Sequence, residues 1–290
     1  MTTTSKAVRG LSVVGLAAVL VGTLAACSDS SAETTDEASS GATASATSAD
    51  LGLLVPGTLT VGMNLQFEPE MYLDADGNPA GYDVELLQAL ADELGLTLDI
   101  QNLDFNGLIP GLQSKMFDMV SVGLTNTPER DEVVDFSREY VPYTTVLAVA
   151  EDDDRTASID TYNSADVTIT ALQGSSGEQL AMDTFPNATI TGFADQNAAL
   201  LEVATGRADG GVVEGYILGQ YIAANPGQLK EAALSEPLSL GYGSWAVQDG
   251  NSGLVSALND FICTAQGDGT MEQIYLDTFG GTSMPVMPAC

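Results

Sequence analysis

The sequence predicts an α/β fold made of two lobes with a cleft between them. Strand and helix patterns alternate over residues 59–123, and a second alternating series covers residues 167–224. Two extended apolar runs, TVLAVAE at 145–151 and YGSWAVQ at 242–248, lie where the chain would cross between the series. Such alternation is typical of largely parallel sheets with helices on their faces. Two series joined by two crossings therefore predict two lobes.

The first series contains three predicted strands and two predicted helices. Runs rich in branched apolar residues predict strands, here LTVGM (59–63), TLDIQNL (97–103) and DMVSVG (118–123). Apolar residues at helical spacing predict a helix over GYDVELLQALADELG, with Gly95 as its C-terminal cap. A short helix is predicted over FNGLIPGLQSKM, before the third strand.

The second series repeats this pattern with three strands and three helices. The predicted strands are VTITAL (167–172), TITGF and DGGVVE. One helix is predicted to open at Ser175 and Ser176 and to run to Phe185, because serines favour the first positions of helices. The other two predicted helices cover NAALLEVATGRA and YILGQYIAA.

The first 27 residues show the pattern of a secretory signal peptide. A basic start is followed by an apolar run from Leu11 to Ala26, which is short for a membrane span. The end of this run, Leu-Ala-Ala-Cys, resembles the bacterial lipobox, in which the chain is cut before the cysteine and the thiol is acylated. Residues 1–27 are therefore predicted to be a lipoprotein signal peptide with Cys27 as the lipidation site. The alternative is an uncleaved membrane anchor, and both place the bulk of the chain outside the cytoplasm.

Residues 28–54 are predicted to form a disordered tether. The stretch SDSSAETTDEASSGATASATSAD at 28–50 has no aromatic residue and almost no branched apolar residue. Such a composition cannot bury enough apolar surface to offset the entropy of an ordered chain. The fold is predicted to begin near Val55.

Charge and composition exclude two kinds of site. The chain has 40 acidic and 8 basic side chains and a net charge of −32, a field that repels phosphate backbones. Nucleic-acid binding is therefore not expected. The chain contains no histidine, which removes the usual proton shuttle and the commonest transition-metal ligand. No metal site and no cofactor is predicted.

Several motifs resemble, in order and at the same spacing, signatures of the family 3 extracellular solute-binding proteins, the receptors of polar amino-acid ABC importers. They are GTLTVGMNLQFEPE, DADGNPAGYDVELLQALADELG, DFNGLIPGLQSKMFDMVSVGLTNTPERDEVVDFSREY and GRADGGVVE, and the resemblance covers most of residues 55–282. It implies a two-lobed flytrap fold with two hinge strands that closes around an amino acid. Lobe 1 would comprise residues 55–145 and 241–290, and lobe 2 residues 146–240.

The resemblance implies a site for the α-carboxylate of the ligand. Thr127 to Arg130 match the family's T-x-x-R motif, whose arginine clamps the carboxylate, and a planar guanidinium suits such a bidentate contact. Thr125 would add a hydroxyl beside the strand end at Gly123. The alternative is a surface arginine that pairs with Asp131 or Asp135.

The opposite side of the carboxylate would be held by the start of a helix. The segment QGSSGE corresponds to the family's Gly-Thr/Ser segment and nominates Gly174, Ser175 and Ser176, because free amides at a helix N-terminus attract anions. Ordinary capping of the helix by a serine is the other interpretation. Both roles are compatible.

The remaining implied site residues contact the ammonium group and the side chain. Glu214 stands where most relatives have the aspartate that binds the α-amino group. Phe67 and Phe105 match the aromatic residues that flank the ligand, although each would also suit the core. Asn64 replaces an acid found in some relatives and favours a neutral polar side chain, glutamine-like in size. Glu68 or Glu70, if turned inward, would favour a cationic ligand instead.

The predicted function is capture of a polar amino acid and its delivery to the permease of an ABC importer, by a protein held at the membrane through its lipid. The alternatives are a ligand-sensing receptor subunit and, since amino-acid dehydratases share the flytrap fold, an enzyme. No catalytic residues are predicted, because no acid/base pair remains after the ligand charges are assigned. Cys263 and Cys290 are expected to form a disulfide in an oxidising compartment.

Overall fold

The computed structural model describes residues 51–290 of the chain. The predicted signal peptide, the acylation of Cys27 and most of the predicted tether lie outside the described residues. The fold begins earlier than predicted, because Leu51 is only 1% exposed and its carbonyl oxygen accepts a hydrogen bond from the Asn251 side chain at 3.1 Å. The Leu54 amide donates to the buried Asp118 carboxylate at 2.6 Å. Residues 51–54, predicted as the end of the tether, therefore belong to the folded part of the chain.

Twelve strands, nine α-helices and one 3-10 turn make up the described part of the chain. The strands are β1 (Thr58–Met63), β2 (Gln66–Phe67), β3 (Met71–Leu73), β4 (Pro79–Ala80), β5 (Thr97–Asn102), β6 (Met119–Leu124), β7 (Val134–Ala150), β8 (Thr168–Leu172), β9 (Thr189–Phe193), β10 (Gly210–Glu214), β11 (Leu229–Glu231) and β12 (Ser239–Gln248). The helices are α1 (Tyr82–Leu94), α2 (Leu108–Gln113), α3 (Pro128–Asp131), α4 (Ile159–Tyr162), α5 (Ser176–Thr184), α6 (Gln196–Ala204), α7 (Gly215–Ala224), α8 (Ser252–Asp268) and α9 (Thr270–Thr278). The 3-10 turn, Phe105–Gly107, directly precedes α2.

One sheet of nine strands runs through both lobes in the order β5-β1-β6-β12-β7-β10-β8-β9, with β11 paired to β7. On one side β1 is parallel to β5 and β6, and on the other β8 is parallel to β9 and β10. These parallel groups are the two series expected from the alternation of strands and helices. A second sheet, β2-β3-β4, belongs to the first lobe.

The two long strands β7 and β12 join the lobes. They pair antiparallel with each other from Ser239 opposite Thr145 to Gln248 opposite Val134. Both strands continue through the predicted lobe boundaries at 145/146 and 240/241. The crossings predicted from two apolar runs are therefore strands in the middle of the sheet.

The central strands of the first lobe are buried because helices cover them. Leu59, Val61 and Met63 of β1 are fully buried. This burial explains why the sequence of β1 is nearly continuously apolar. Helix α1 packs its apolar side on this core and ends at Gly95, which adopts the left-handed conformation with φ 67° that glycine tolerates best.

The second lobe has a smaller core of its own. Ile169 and Val212 from its strands pack with Phe185, which follows α5, and all three are buried. Among residues 51–290, no helix has the combination of length and hydropathy that a membrane crossing would need.

Candidate ligand-binding site

A cavity lies between the two lobes and is lined by both of them. The empty space in and at the mouth of this cavity is about 420 Å³, a figure that includes the part open to solvent. The lining residues come from the ends of strands and the starts of helices, the usual place for a ligand in an α/β fold. They are Phe67, Glu70, Phe105, Val122, Gly123, Leu124, Thr125, Arg130, Tyr143, Leu172, Ser175, Ser176, Glu214, Tyr216 and Ile217.

Arg130 is positioned by a short helix whose start is fixed by its own sequence. Thr127 caps α3 by accepting a hydrogen bond from the Arg130 amide, and Pro128 occupies the first helical position, where no amide donor is needed. The guanidinium donates to the carbonyl oxygens of Thr125 at 2.8 Å and Gly174 at 3.0 Å. Burial lowers the pKa of Arg130, which stays charged at neutral pH.

The guanidinium of Arg130 is not used by a protein carboxylate. Within the described residues it forms no ion pair, so the alternative pairing with Asp131 or Asp135 is not seen. Its central carbon lies 6.0 Å from the centroid of the Phe105 ring. A cation in the cleft with hydrogen-bond donors to spare is an anion-binding group.

Thr125 and Gly123 lie at the end of β6, as the sequence indicated. The Thr125 hydroxyl forms hydrogen bonds with the hydroxyls of Tyr143 and of Ser176, the latter at 3.0 Å. Gly123 has φ 57° and donates its amide to the Tyr140 hydroxyl at 2.9 Å. A Cβ on Gly123 would come within 2.7 Å of Glu70 Oε1, so a larger residue would displace the Glu70 carboxyl, and the positive φ itself favours glycine.

At the start of α5, two of the amides that the sequence nominated, those of Gly174 and Ser175, are already used within the protein. The Gly174 amide donates to the Glu178 carboxylate at 2.8 Å, and the Ser175 amide to the Leu172 carbonyl at 3.2 Å. The Ser175 hydroxyl caps the helix by accepting from the Glu178 amide, which is the capping interpretation. Gly174 is not part of the cavity wall, and its contribution is the carbonyl oxygen that holds Arg130. Ser175 and Ser176 do line the cavity.

Glu214 lines the cavity from the second lobe. It ends β10 and precedes the first residue of α7, and its side chain makes no capping bond to that helix. Burial raises the pKa of this carboxyl. The cavity wall thus contains the guanidinium of Arg130 from one lobe and a carboxyl group from the other.

The predicted aromatic residues line the cavity, whereas Asn64 does not. Phe67 and Phe105 both belong to the wall, and Phe67 also packs in the core. Asn64 is 5% exposed, donates from Nδ2 to the Leu103 carbonyl at 2.7 Å and accepts from Gln66. Both its amide nitrogen and its amide oxygen therefore help to fix the chain behind the cleft. Asn64 does not line the cavity, so its contact with a ligand side chain stays a prediction without a structural observation behind it.

Three polar wall residues were not predicted as site residues. Glu70 was named only as an alternative, and Tyr143 and Tyr216 were not considered. Tyr216 follows Glu214 by two residues in the first turn of α7, and its hydroxyl donates to Glu70. Tyr143 lies on β7, where strand alternation alone does not distinguish the cleft from the opposite face.

Polar contacts join the two lobes across the cleft. Besides Arg130–Gly174, Thr125–Ser176 and Glu70–Tyr216, the Asn106 side chain donates to Gln173 at 3.2 Å. The Gln196 amide donates to the Gln66 side chain at 3.0 Å. No group of three or more His, Cys, Asp or Glu residues in the described part of the chain could hold a metal ion.

Comparisons with known proteins agree with this geometry. Residues 59–281 match the family described as bacterial extracellular solute-binding proteins, family 3. The chain is 27% identical over 229 residues to the arginine-binding extracellular protein ArtP of Bacillus subtilis strain 168, covering 77% of this chain and 86% of that protein.

Two solved structures, both of two-lobed amino-acid-binding proteins, share the fold. An ancestral arginine-binding protein bound to glutamine is 30% identical, with a TM-score of 0.71 over 78% of this chain and 99% of that one. The ancestral amino acid-binding protein AncCDT-1, a precursor of cyclohexadienyl dehydratase, is 31% identical, with a TM-score of 0.70 over 77% and 95%. The chain described here belongs to the bacterial extracellular solute-binding proteins of family 3.

Proposed function

We propose that this protein is the lipid-anchored substrate-binding subunit of an ABC importer and captures a polar amino acid between its lobes. The observation that carries the proposal is the cleft itself, which presents the guanidinium of Arg130 on one lobe and the carboxyl of Glu214 on the other. A free amino acid carries the complementary pair of charges on its α-carbon. Membership of a family of extracellular binding proteins supports the transport role.

Arg130 would bind the α-carboxylate. A guanidinium has five N–H donors, and the Thr125 and Gly174 carbonyls use two of them, so three remain. The hydroxyls of Thr125 and Ser176 border the same part of the cavity and would add neutral donors. Glu214 would accept from the α-ammonium group, and Phe67 and Phe105 would exclude water from the ligand.

The ligand side chain is expected to be polar and not acidic. Arg130 is the single cation among the residues that line the cavity, whereas Glu70 and Glu214 would repel a second carboxylate. A neutral amide such as glutamine and a cation such as arginine both satisfy this condition. Asn64, the residue that favours a neutral side chain, lies outside the cavity. The choice between a neutral and a cationic ligand therefore depends on Glu70.

The relatives support binding in preference to catalysis. ArtP is named for binding arginine, and AncCDT-1, although a precursor of a dehydratase, is itself an amino acid-binding protein. A turnover assay with amino-acid and cyclohexadienyl substrates would separate an enzyme from a receptor. A ligand-sensing subunit would bind equally well, and uptake measured with and without the gene distinguishes sensing from import.

The binding function is tested on the full-length protein, purified in detergent and screened against the proteinogenic amino acids by thermal unfolding. A ligand at a hundred times its dissociation constant adds about 2.7 kcal/mol to the free energy of unfolding. Arg130→Ala should cost about 2 to 5 kcal/mol of binding free energy in calorimetry, because it removes one partner of a buried charge pair. Arg130→Lys should recover little, since an ammonium cannot form the bidentate contact.

Arg207→Ala is the matched control, because Arg207 is exposed and pairs with Glu202 away from the cavity. Binding should survive this change. Unchanged affinity in Arg130→Ala would contradict the proposed carboxylate site, and no stabilisation by any amino acid would contradict the function.

A further inference from the structure

Glu70 is an acidic residue of the cleft that the proposed function does not use, because in that proposal Arg130 and Glu214 already bind the α-carboxylate and the α-ammonium group of the ligand. It lies between β2 and β3, lines the cavity and is 2% exposed. Its carbonyl oxygen accepts a hydrogen bond from the Asp83 amide at 2.9 Å, which ties this backbone to the start of α1. The backbone of Glu70 is therefore fixed, and its buried side chain is confined by the residues packed around it.

One oxygen of the Glu70 carboxyl lacks a donor. Oε2 accepts a hydrogen bond from the Tyr216 hydroxyl across the cleft. Oε1 is buried, has no hydrogen-bond partner among the described residues, and lies against Gly123, itself part of the cavity wall. A buried polar atom without a partner is costly and rare in native proteins. A donor supplied by the ligand would satisfy it.

Within residues 51–290, no positively charged side chain forms an ion pair with Glu70. Two acids, Asp83 and Glu214, repel a negative charge on Glu70. The other titratable groups that interact with it are tyrosines, namely Tyr82, Tyr140, Tyr143, Tyr216 and Tyr275. Burial, followed by Asp83, raises the pKa of Glu70 well above its usual range, and the hydrogen bond from Tyr216 opposes this shift. A cation brought by the ligand would offset the cost of ionising this group.

The proposed function assigns the other charges of the cavity, and the inference rests on it. Arg130 takes the α-carboxylate and Glu214 the α-ammonium, so Glu70 is left for the side chain. We propose that Glu70 binds the positively charged group of the ligand side chain and makes the cleft selective for cationic amino acids over neutral ones. A neutral amide can donate a hydrogen bond to Glu70, but it brings no charge.

The test compares arginine, lysine and glutamine by titration calorimetry on the full-length protein, purified in detergent, and on two variants. In Glu70→Gln, the dissociation constants of arginine and lysine should rise about 10- to 100-fold, the usual worth of a hydrogen bond to a charged group. That of glutamine should change less than about threefold. In Glu68→Gln all three constants should stay unchanged, because Glu68 carries the same charge two residues away but is exposed and outside the cavity.

Three results would overturn the inference while leaving the proposed function intact. They are tighter binding of glutamine than of arginine by the wild type, equal losses for arginine and glutamine in Glu70→Gln, and no change in that variant. Equal losses would assign Glu70 to the α-ammonium group. The first result needs no variant, so the inference stays testable even if Glu70→Gln fails to fold. Failure of the proposed function itself would show as undiminished binding in Arg130→Ala.

Discussion

Asp83, beneath the cleft, is a buried acid whose protonation affects the stability of this protein. Its side chain is fully buried, and Oδ2 accepts hydrogen bonds from Ser121 at 2.6 Å and Tyr140 at 2.5 Å. Oδ1 has no partner in the described part of the chain. Burial raises the pKa of Asp83 to about 7, against the opposing effect of these two hydrogen bonds.

This shift predicts that Asp83 lowers stability as the pH rises. The folded state holds the proton of Asp83 more tightly than the unfolded state does. The stability gained from this protonated carboxyl is therefore fully present below pH 3.8 and is lost as the pH rises to about 7. Each such proton changes the free energy of unfolding by at most about 1.4 kcal/mol per pH unit. Urea unfolding of ligand-free protein between pH 5 and 8 should therefore give a shallower pH dependence for Asp83→Asn than for the wild type. Identical slopes would contradict this reading.

The C-terminal segment is the element most dependent on side-chain chemistry. Residues 282–290 contain no helix or strand, and Cys290 is bonded to Cys263 of α8. Arg138 donates to the Ala289 carbonyl at 2.5 Å and Gln266 to the Pro288 carbonyl at 3.2 Å. These contacts place the segment against the first lobe, as expected for a disulfide between the two cysteines.

Loss of this disulfide should destabilise the protein. The bond closes a loop with a sequence separation of 27 residues, and the chain-entropy model assigns about 3 to 4 kcal/mol to such a closure. The Cys263→Ala/Cys290→Ala variant should show a decrease of that order in the free energy of unfolding by urea. The wild type under reducing conditions serves as the control and should approach the variant. Free thiols found by mass spectrometry in protein from its native compartment would contradict the bond.

At the scale of the whole molecule, the net charge and the proposed lipid anchor bear on where the protein is held. With a net charge of −32, the chain has no electrostatic attraction to anionic lipid surfaces, so charge alone would not hold it at a membrane. Cys27, which lies outside the described residues, is the proposed anchor.

Removal of the anchor should release the protein. A Cys27→Ser variant, with residues 1–26 exchanged for a secretion signal that is cleaved, should appear in the soluble extracytoplasmic fraction. The control is the same exchange with a second lipoprotein signal that retains Cys27, which should stay with the membranes. A soluble wild type, or a variant that remains bound to membranes, would exclude lipidation at this residue.

The sequence alone determined the fold class and the positions of most elements, because strand and helix periodicities are local. Arg130 was located through the resemblance of Thr127-Pro128-Glu129-Arg130 to a family motif, and it lines the cavity. Its role as a carboxylate clamp stays a prediction. Ser175 and Ser176 were found at the predicted start of a helix, because serines favour that position.

Only the tertiary structure decided that Glu70 lines the cleft and that Asn64 does not. Asn64 and Glu70 are six residues apart in a segment of short strands, where direction depends on what packs behind each side chain. Asn64 is taken by the Leu103 carbonyl, whereas Glu70 finds room against Gly123 and a donor in Tyr216, 146 residues away in sequence. The contact between Glu178 and the Gly174 amide, by contrast, is local, because only four residues separate them. The positions of Asn64 and Glu70 depend on hydrogen-bond partners distant in sequence, and these are set when the lobes fold.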